Sequence, residues 1–140
     1  LFIKLEIDCN PPAGFTTELS FCQKYFPMSI FHFDLASLFA GKLHAVLLRQ
    51  YTKGRDFYDL MWFLGKKIKP NMVQLQNAIY QTTGKKVELS TEDLKKMLYK
   101  RFEEIDYKKV HSELGVFLAD PNELKYLTPE TLTQLIDDYL

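Results

Sequence analysis

What the 140 residues do without narrows their role before any motif is considered. There is no surplus of charge: 18 Lys and Arg balance 18 Asp and Glu. A neutral chain has no global basic footprint, so nucleic-acid binding would need a local patch. No apolar run is long enough to cross a bilayer and no signal-peptide pattern is present, which predicts a cytoplasmic protein without a membrane partner. Only Cys9 and Cys22 occur, so a disulfide scaffold is excluded; both read as ordinary thiols, with a single bridge left open. No HExxH or comparable spacing links His32, His44 and His111, which removes the argument for a histidine-based hydrolase. Each histidine is expected in a packed or surface role. No repeat, low-complexity tract or long linker divides the chain.

Apolar material is plentiful. Hydrophobic residues make up 46% and aromatics 14%, enough for a core. The chain opens on Leu1 rather than Met, already inside an alternation. Leu1, Ile3, Leu5 and Ile7 fall on one face, and Phe2, Lys4, Glu6 and Asp8 on the other. That period of two predicts a strand over 1–8 and further sequence before it. "CNPPAG" is turn chemistry. "FTTELSF" and "FPMSIFHF" predict two more strands, the latter entered at Pro27.

Helices follow. Asp34 is a good N-cap for a helix over 35–51, and Gly54 and Pro70 punctuate a second over 55–66. Further helices are predicted over 71–83, closed by Gly84, and over 91–104, opened by Ser90-x-x-Asp93 in the manner of a capping box. One over 107–118 starts at Asp106. Asp120-Pro121 and Thr128-Pro129 start a short turn and a last helix over 129–139. Strands followed by a run of helices predict an α+β fold: strands over 1–33, then a helical bundle over 34–140.

The stretch "AGKLHAVLLRQYTKGRDFYDL" (40–60) raises the main question. In a helix, positions 35, 38, 39, 42, 46 and 49 share a face, and four of them are Leu35, Leu38, Phe39 and Val46. The opposite side is also apolar, which predicts a helix buried nearly all round. A lysine there must snorkel, find an anion or lose its proton. Lys42 has company: Arg49 lies two turns on, and Arg55, Asp56 and Asp59 open the next helix. A first-turn aspartate and an i,i+4 pair between Arg55 and Asp59 explain each residue singly. They explain less well two cations and two carboxylates around one connection.

These residues resemble the AbiEii/AbiGii toxin family of nucleotidyltransferases. Its members carry a strand ending in a carboxylate, a helix of the form A-x-K-L-x-A-L-x-x-R, and then R-D-x-x-D-L. Here these are "IKLEID", Ala40 to Arg49, and Arg55 to Leu60, so the resemblance spans about residues 1–64. It implies transfer of one or several nucleotides from a nucleoside triphosphate to an acceptor such as tRNA, with Mg²⁺, by a toxin or antiphage effector that has a cognate antitoxin. By the same resemblance Lys42, Asp56 and Glu6 are catalytic, and Lys42, Arg49 and Arg55 bind substrate. Glu6 and then Asp8 are the metal carboxylates. Asp56 orients Lys42 or acts in the acceptor step, and Asp59 is structural, tied to Arg49 or Arg55.

The family's Gly-Ser loop and Asp-x-Asp pair do not occur in these 140 residues. The chain is therefore expected to be the C-terminal part of such a protein and inactive alone. The alternative is a non-enzymatic helical interaction module presenting Phe57, Tyr58, Trp62 and Phe63, although at helical spacing Phe57, Leu60, Met61 and Leu64 suit a core. The lysine-rich stretch 95–109 could touch phosphates, but Glu103, Glu104 and Asp106 dilute it, and a solvated face is expected.

Overall fold

The computed structural model describes residues 2–140. It is α+β: two antiparallel strands, then a helical bundle. Strand β1 (Thr17–Gln23) and strand β2 (Pro27–Phe33) form a hairpin, with Thr17 opposite Phe33 and Gln23 opposite Pro27. Phe15 packs on Phe33 at 4.7 Å between ring centroids.

The strand expected over 1–8 is absent over the described residues 2–8, which form no regular structure and stand exposed; Leu1 lies outside the described residues. Alternation alone does not make a strand. Its N–H and C=O groups need a neighbour, and among the described residues the hairpin strands pair only with each other. Leu19, Phe21, Ile30 and Phe31 are exposed as well, so the hairpin lies outside the core.

Residues 10–16 are sewn to the bundle by polar side chains. Asn71, Asn77 and Gln81 donate side-chain amide hydrogens to the carbonyls of Gly14, Ala13 and Asn10 at 2.7, 2.8 and 2.9 Å. The buried Ser37 hydroxyl accepts from Thr16 N at 2.9 Å.

The helices start where cap chemistry places them. Helix α1 (Leu35–Leu48) is capped by Asp34, whose carboxylate accepts from Ser37 N at 2.7 Å. Helix α2 spans Gly54–Gly65. Helix α3 (Met72–Thr83) is capped by Asn71 and closed by Gly84 at φ 71°. Helix α4 (Thr91–Glu103) opens on a Ser90–Asp93 capping box, and α5 (Tyr107–Leu114) on Asp106. A 3₁₀ turn (Pro121–Tyr126) leads to α6 (Pro129–Tyr139), capped by Thr128.

One core joins all six α-helices. Phe39, Leu43 and Val46 of α1 meet Phe57, Leu60 and Leu64 of α2, Leu75 and Ile79 of α3, Leu94 and Leu98 of α4, Val110 of α5, and Leu132 and Ile136 of α6. Phe39 and Phe63 stack at 4.8 Å. Burying each large apolar side chain contributes roughly 1.5–3 kcal/mol, so the bundle is held by this cluster rather than by helix propensity. Helix α1 is not buried all round as its composition suggested. Its buried stripe is Phe39, Ala40, Leu43 and Val46, whereas Leu35 and Leu38 are exposed, so Lys42 sits at the stripe's rim. Phe57 and Phe63 are core, leaving Trp62 half-exposed, which removes most of the aromatic surface an interaction module would present.

Candidate functional site

The link between α1 and α2 is five residues, Arg49 to Lys53. It turns the end of one helix back along the other. Lys42 lies on α1 two turns before Arg49, the C-cap residue at its end, and Asp56 and Asp59 are three apart on α2. The two aspartates share a face. The turn brings Lys42 and Arg49 against them.

The result is one charge cluster. Lys42 Nζ donates to Asp56 Oδ1 at 2.9 Å and lies 2.7 Å from Asp59 Oδ2. Arg49 Nη1 pairs with the other oxygen of Asp56. Asp56 is therefore held on both oxygens by cations and is buried, with 4% of its side chain exposed against 44% for Asp59. Lys42 does snorkel from the rim of the core, and it ends on two anions; its side chain is 21% exposed. The expected partner of Asp59 was Arg49 or Arg55. Its partner is Lys42, because the α1–α2 crossing sets the Lys42 ammonium between the two aspartates.

Arg55 is exposed and makes no ion pair among the described residues. It lines a cavity of about 520 Å³ with Tyr51, Lys53 and Lys109. Arg49 and Lys53 both lie against the Tyr51 ring, 5.8 and 5.2 Å from its centroid. Glu6 and Asp8 are placed elsewhere. Glu6 pairs with Lys4 on the exposed segment, and Asp8 accepts from Asn10 N at 2.9 Å. Neither contacts the Lys42 cluster by a hydrogen bond or ion pair. Among the described residues no group of three or more His, Cys, Asp or Glu is placed to hold a metal ion. Two carboxylates fill part of a magnesium shell at most.

Two supports of this site had no signal in the local sequence. Arg101 of α4 donates from Nε to Val46 O at 3.0 Å and from Nη2 to Arg49 O at 3.3 Å, closing the C-terminal end of α1. Glu113 of α5 accepts from Gly54 N at 3.0 Å and so caps α2, whose own N-cap residue Lys53 makes no side-chain cap. Gly54 is required there: a Cβ would stand 2.7 Å from Val110 O.

The histidines have ordinary partners. His44 meets Thr82 Oγ1 at 2.8 Å, His32 meets Ser20, and His111 meets Leu127 O. Burial, aided by the Arg49 charge, lowers the His44 pKa below its usual 6.5. Desolvation pushes Tyr107 up to about 12. Cys9 and Cys22 are free. Among the described residues no helix is long and apolar enough to cross a membrane.

A family model described as the nucleotidyl transferase AbiEii toxin of type IV toxin–antitoxin systems matches residues 1–134. The chain belongs to this family. The match runs on through the helices beyond residue 70, well past the motif-bearing half. No curated protein and no solved structure matches the chain.

Proposed function

We propose that this member of the AbiEii family takes part in moving one or several nucleotides from a nucleoside triphosphate to an acceptor such as tRNA, and that Lys42 meets the triphosphate. The supporting observation is the unequal grip on one ammonium. Asp56 is buried and committed to two cations, whereas Asp59 is half open to water. An incoming phosphate oxygen replaces Asp59 at Lys42 at little cost, while Asp56 keeps the lysine aimed. Lys42, Arg49, Asp56 and Asp59 sum to no net charge, so displacing Asp59 leaves one positive charge where a polyanion lies.

In the reaction the acceptor hydroxyl oxygen bonds to the α-phosphorus as the bond to pyrophosphate breaks, and the hydroxyl proton passes to solvent. Negative charge shifts toward the pyrophosphate oxygens, and a fixed cation beside them stabilises that shift. Lys42 and Arg49 supply such charge, and the exposed Arg55 extends it. Asp56 has both oxygens engaged, which favours a positioning role over proton transfer. Magnesium remains part of the proposal as the ion that accompanies a triphosphate, with Glu6 and Asp8 as candidate partial ligands. No step above depends on it. A neutralising antitoxin, a cytoplasmic setting and tRNA as acceptor belong to the same proposal.

The test is titration of the purified chain with a fluorescent nucleoside triphosphate. Lys42→Met should weaken binding at least tenfold with the fold intact by circular dichroism. Asp59→Asn, which frees the ammonium, should leave binding equal or tighter. Equal affinity in wild type and Lys42→Met would overturn the assignment.

A further inference from the structure

A second concavity lies beside α1, about 500 Å³ in volume, between α1, α3 and the segment around Asp8 to Pro12. Two features of it have no packing explanation. Gln74 is 4% exposed, yet its Oε1 has no hydrogen-bond partner. A buried amide in that state costs stability unless something donates to it. Gly41 sits inside α1, where glycine is less stable than alanine, but a Cβ there would meet nothing within 4 Å. No neighbour demands the glycine, which stands exposed at the edge of the concavity.

The lining limits the ligand. Its apolar part includes Phe33 and Leu38, and its only charged side chain is that of Asp8. His44, bonded to Thr82, borders it as well, and burial favours its neutral form. An anion is therefore disfavoured. A flat ring with apolar faces and an N–H on its edge is suited. The terminal torsion of a glutamine is broad and roughly two-fold, so a flip of the Gln74 amide by about half a turn exchanges its acceptor for its donors at such an edge. Leu38, on this wall, lies one helical turn before Lys42, roughly 6 Å along the axis. A phosphate chain attached to a ring held here has about that axial distance to cover to reach the level of Lys42.

We propose that this concavity is a nucleobase subsite, with Gln74 as the residue that reads the base edge. The proposal rests on the triphosphate reading of Lys42 only for the direction in which the phosphates run.

The experiment titrates the purified chain with adenosine, guanosine, cytidine and uridine, followed by NMR at the Gln74 side-chain amide and the His44 ring. At least one nucleoside should shift both. Gln74→Leu, which removes the amide, and Gly41→Leu, which adds a bulky side chain at the mouth, should each weaken binding at least tenfold. The absence of shifts with all four nucleosides would overturn the proposal, as would wild-type affinity in both variants. Failure of the two readings is separable. Nucleoside binding that depends on Gln74, with no triphosphate advantage lost in Lys42→Met, upholds the subsite and removes the phosphate role. Triphosphate binding that depends on Lys42 but ignores Gln74 and Gly41 does the reverse.

Discussion

Asp56 and Asp59 stand one turn apart on α2 and touch the same ammonium, but only Asp56 also holds an arginine. Their substitution costs should differ accordingly. Asp56→Asn removes the charge between Lys42 and Arg49 at a buried position. Breaking a fully buried pair costs roughly 3–5 kcal/mol, and because both cations are partly exposed the expected loss here is about 2 kcal/mol. Asp59→Asn should cost under about 1 kcal/mol, as for exposed pairs. Urea unfolding of the two variants decides it, and equal losses would mean that the buried carboxylate is not the anchor.

Helices α2 and α5 approach so closely at Gly54 that a methyl group has no room. Gly54→Ala should destabilise the chain by about 1–3 kcal/mol through overpacking against the Val110 carbonyl. It should also loosen the Glu113 cap. Thermal unfolding at constant pH reads this directly, and an unchanged midpoint would show that α5 simply moves aside.

The lowered pKa of His44 makes a pH prediction. The unfolded chain takes up this proton near pH 6.5, the folded chain only at lower pH. Acid therefore favours the unfolded state. The contribution of His44 to stability is complete above pH 6.5 and is lost as pH falls toward its folded pKa. The difference in stability between wild type and His44→Gln should shrink between pH 7.5 and pH 5.5. A difference that stayed flat across that window would assign the acid sensitivity to other groups.

Without a Gly-Ser loop or an Asp-x-Asp pair among its residues, the 140-residue chain should transfer no nucleotide unaided. Incubation with labelled nucleoside triphosphates, magnesium and a tRNA pool should leave label only in free nucleotide. Label recovered in RNA, and lost in Lys42→Met, would refute this and make the chain sufficient for transfer.

Helix starts were legible because caps are local. Asp34, Asn71, Ser90, Asp106 and Thr128 each fix a start through a bond spanning two or three residues. Helix ends were less so. Helix α1 stops at Leu48 rather than 51, where its last carbonyls turn to Arg101, more than fifty residues away. Helix α5 stops at Leu114 rather than 118, and Val116 and Phe117 beyond it are exposed. The strand expected over 1–8 failed for a related reason, since pairing is decided by a neighbour and not by alternation. In the site, the seven-residue and three-residue spacings showed which side chains share a face. They could not show that Lys42, rather than an arginine, takes Asp59, because that depends on how the two helices cross. Gln74 carried no signal at all: only the closed bundle reveals an amide without a partner.

Arg101 grips the free carbonyls at the end of α1 from α4, a helix that makes no hydrogen bond or ion pair to the lysine among the described residues. A survey of loss-of-function variants would thus return a position in α4 that meets the site only through the backbone of Arg49. Such lesions would recover on cooling, whereas extra nucleotide would rescue only the defects that lie in binding.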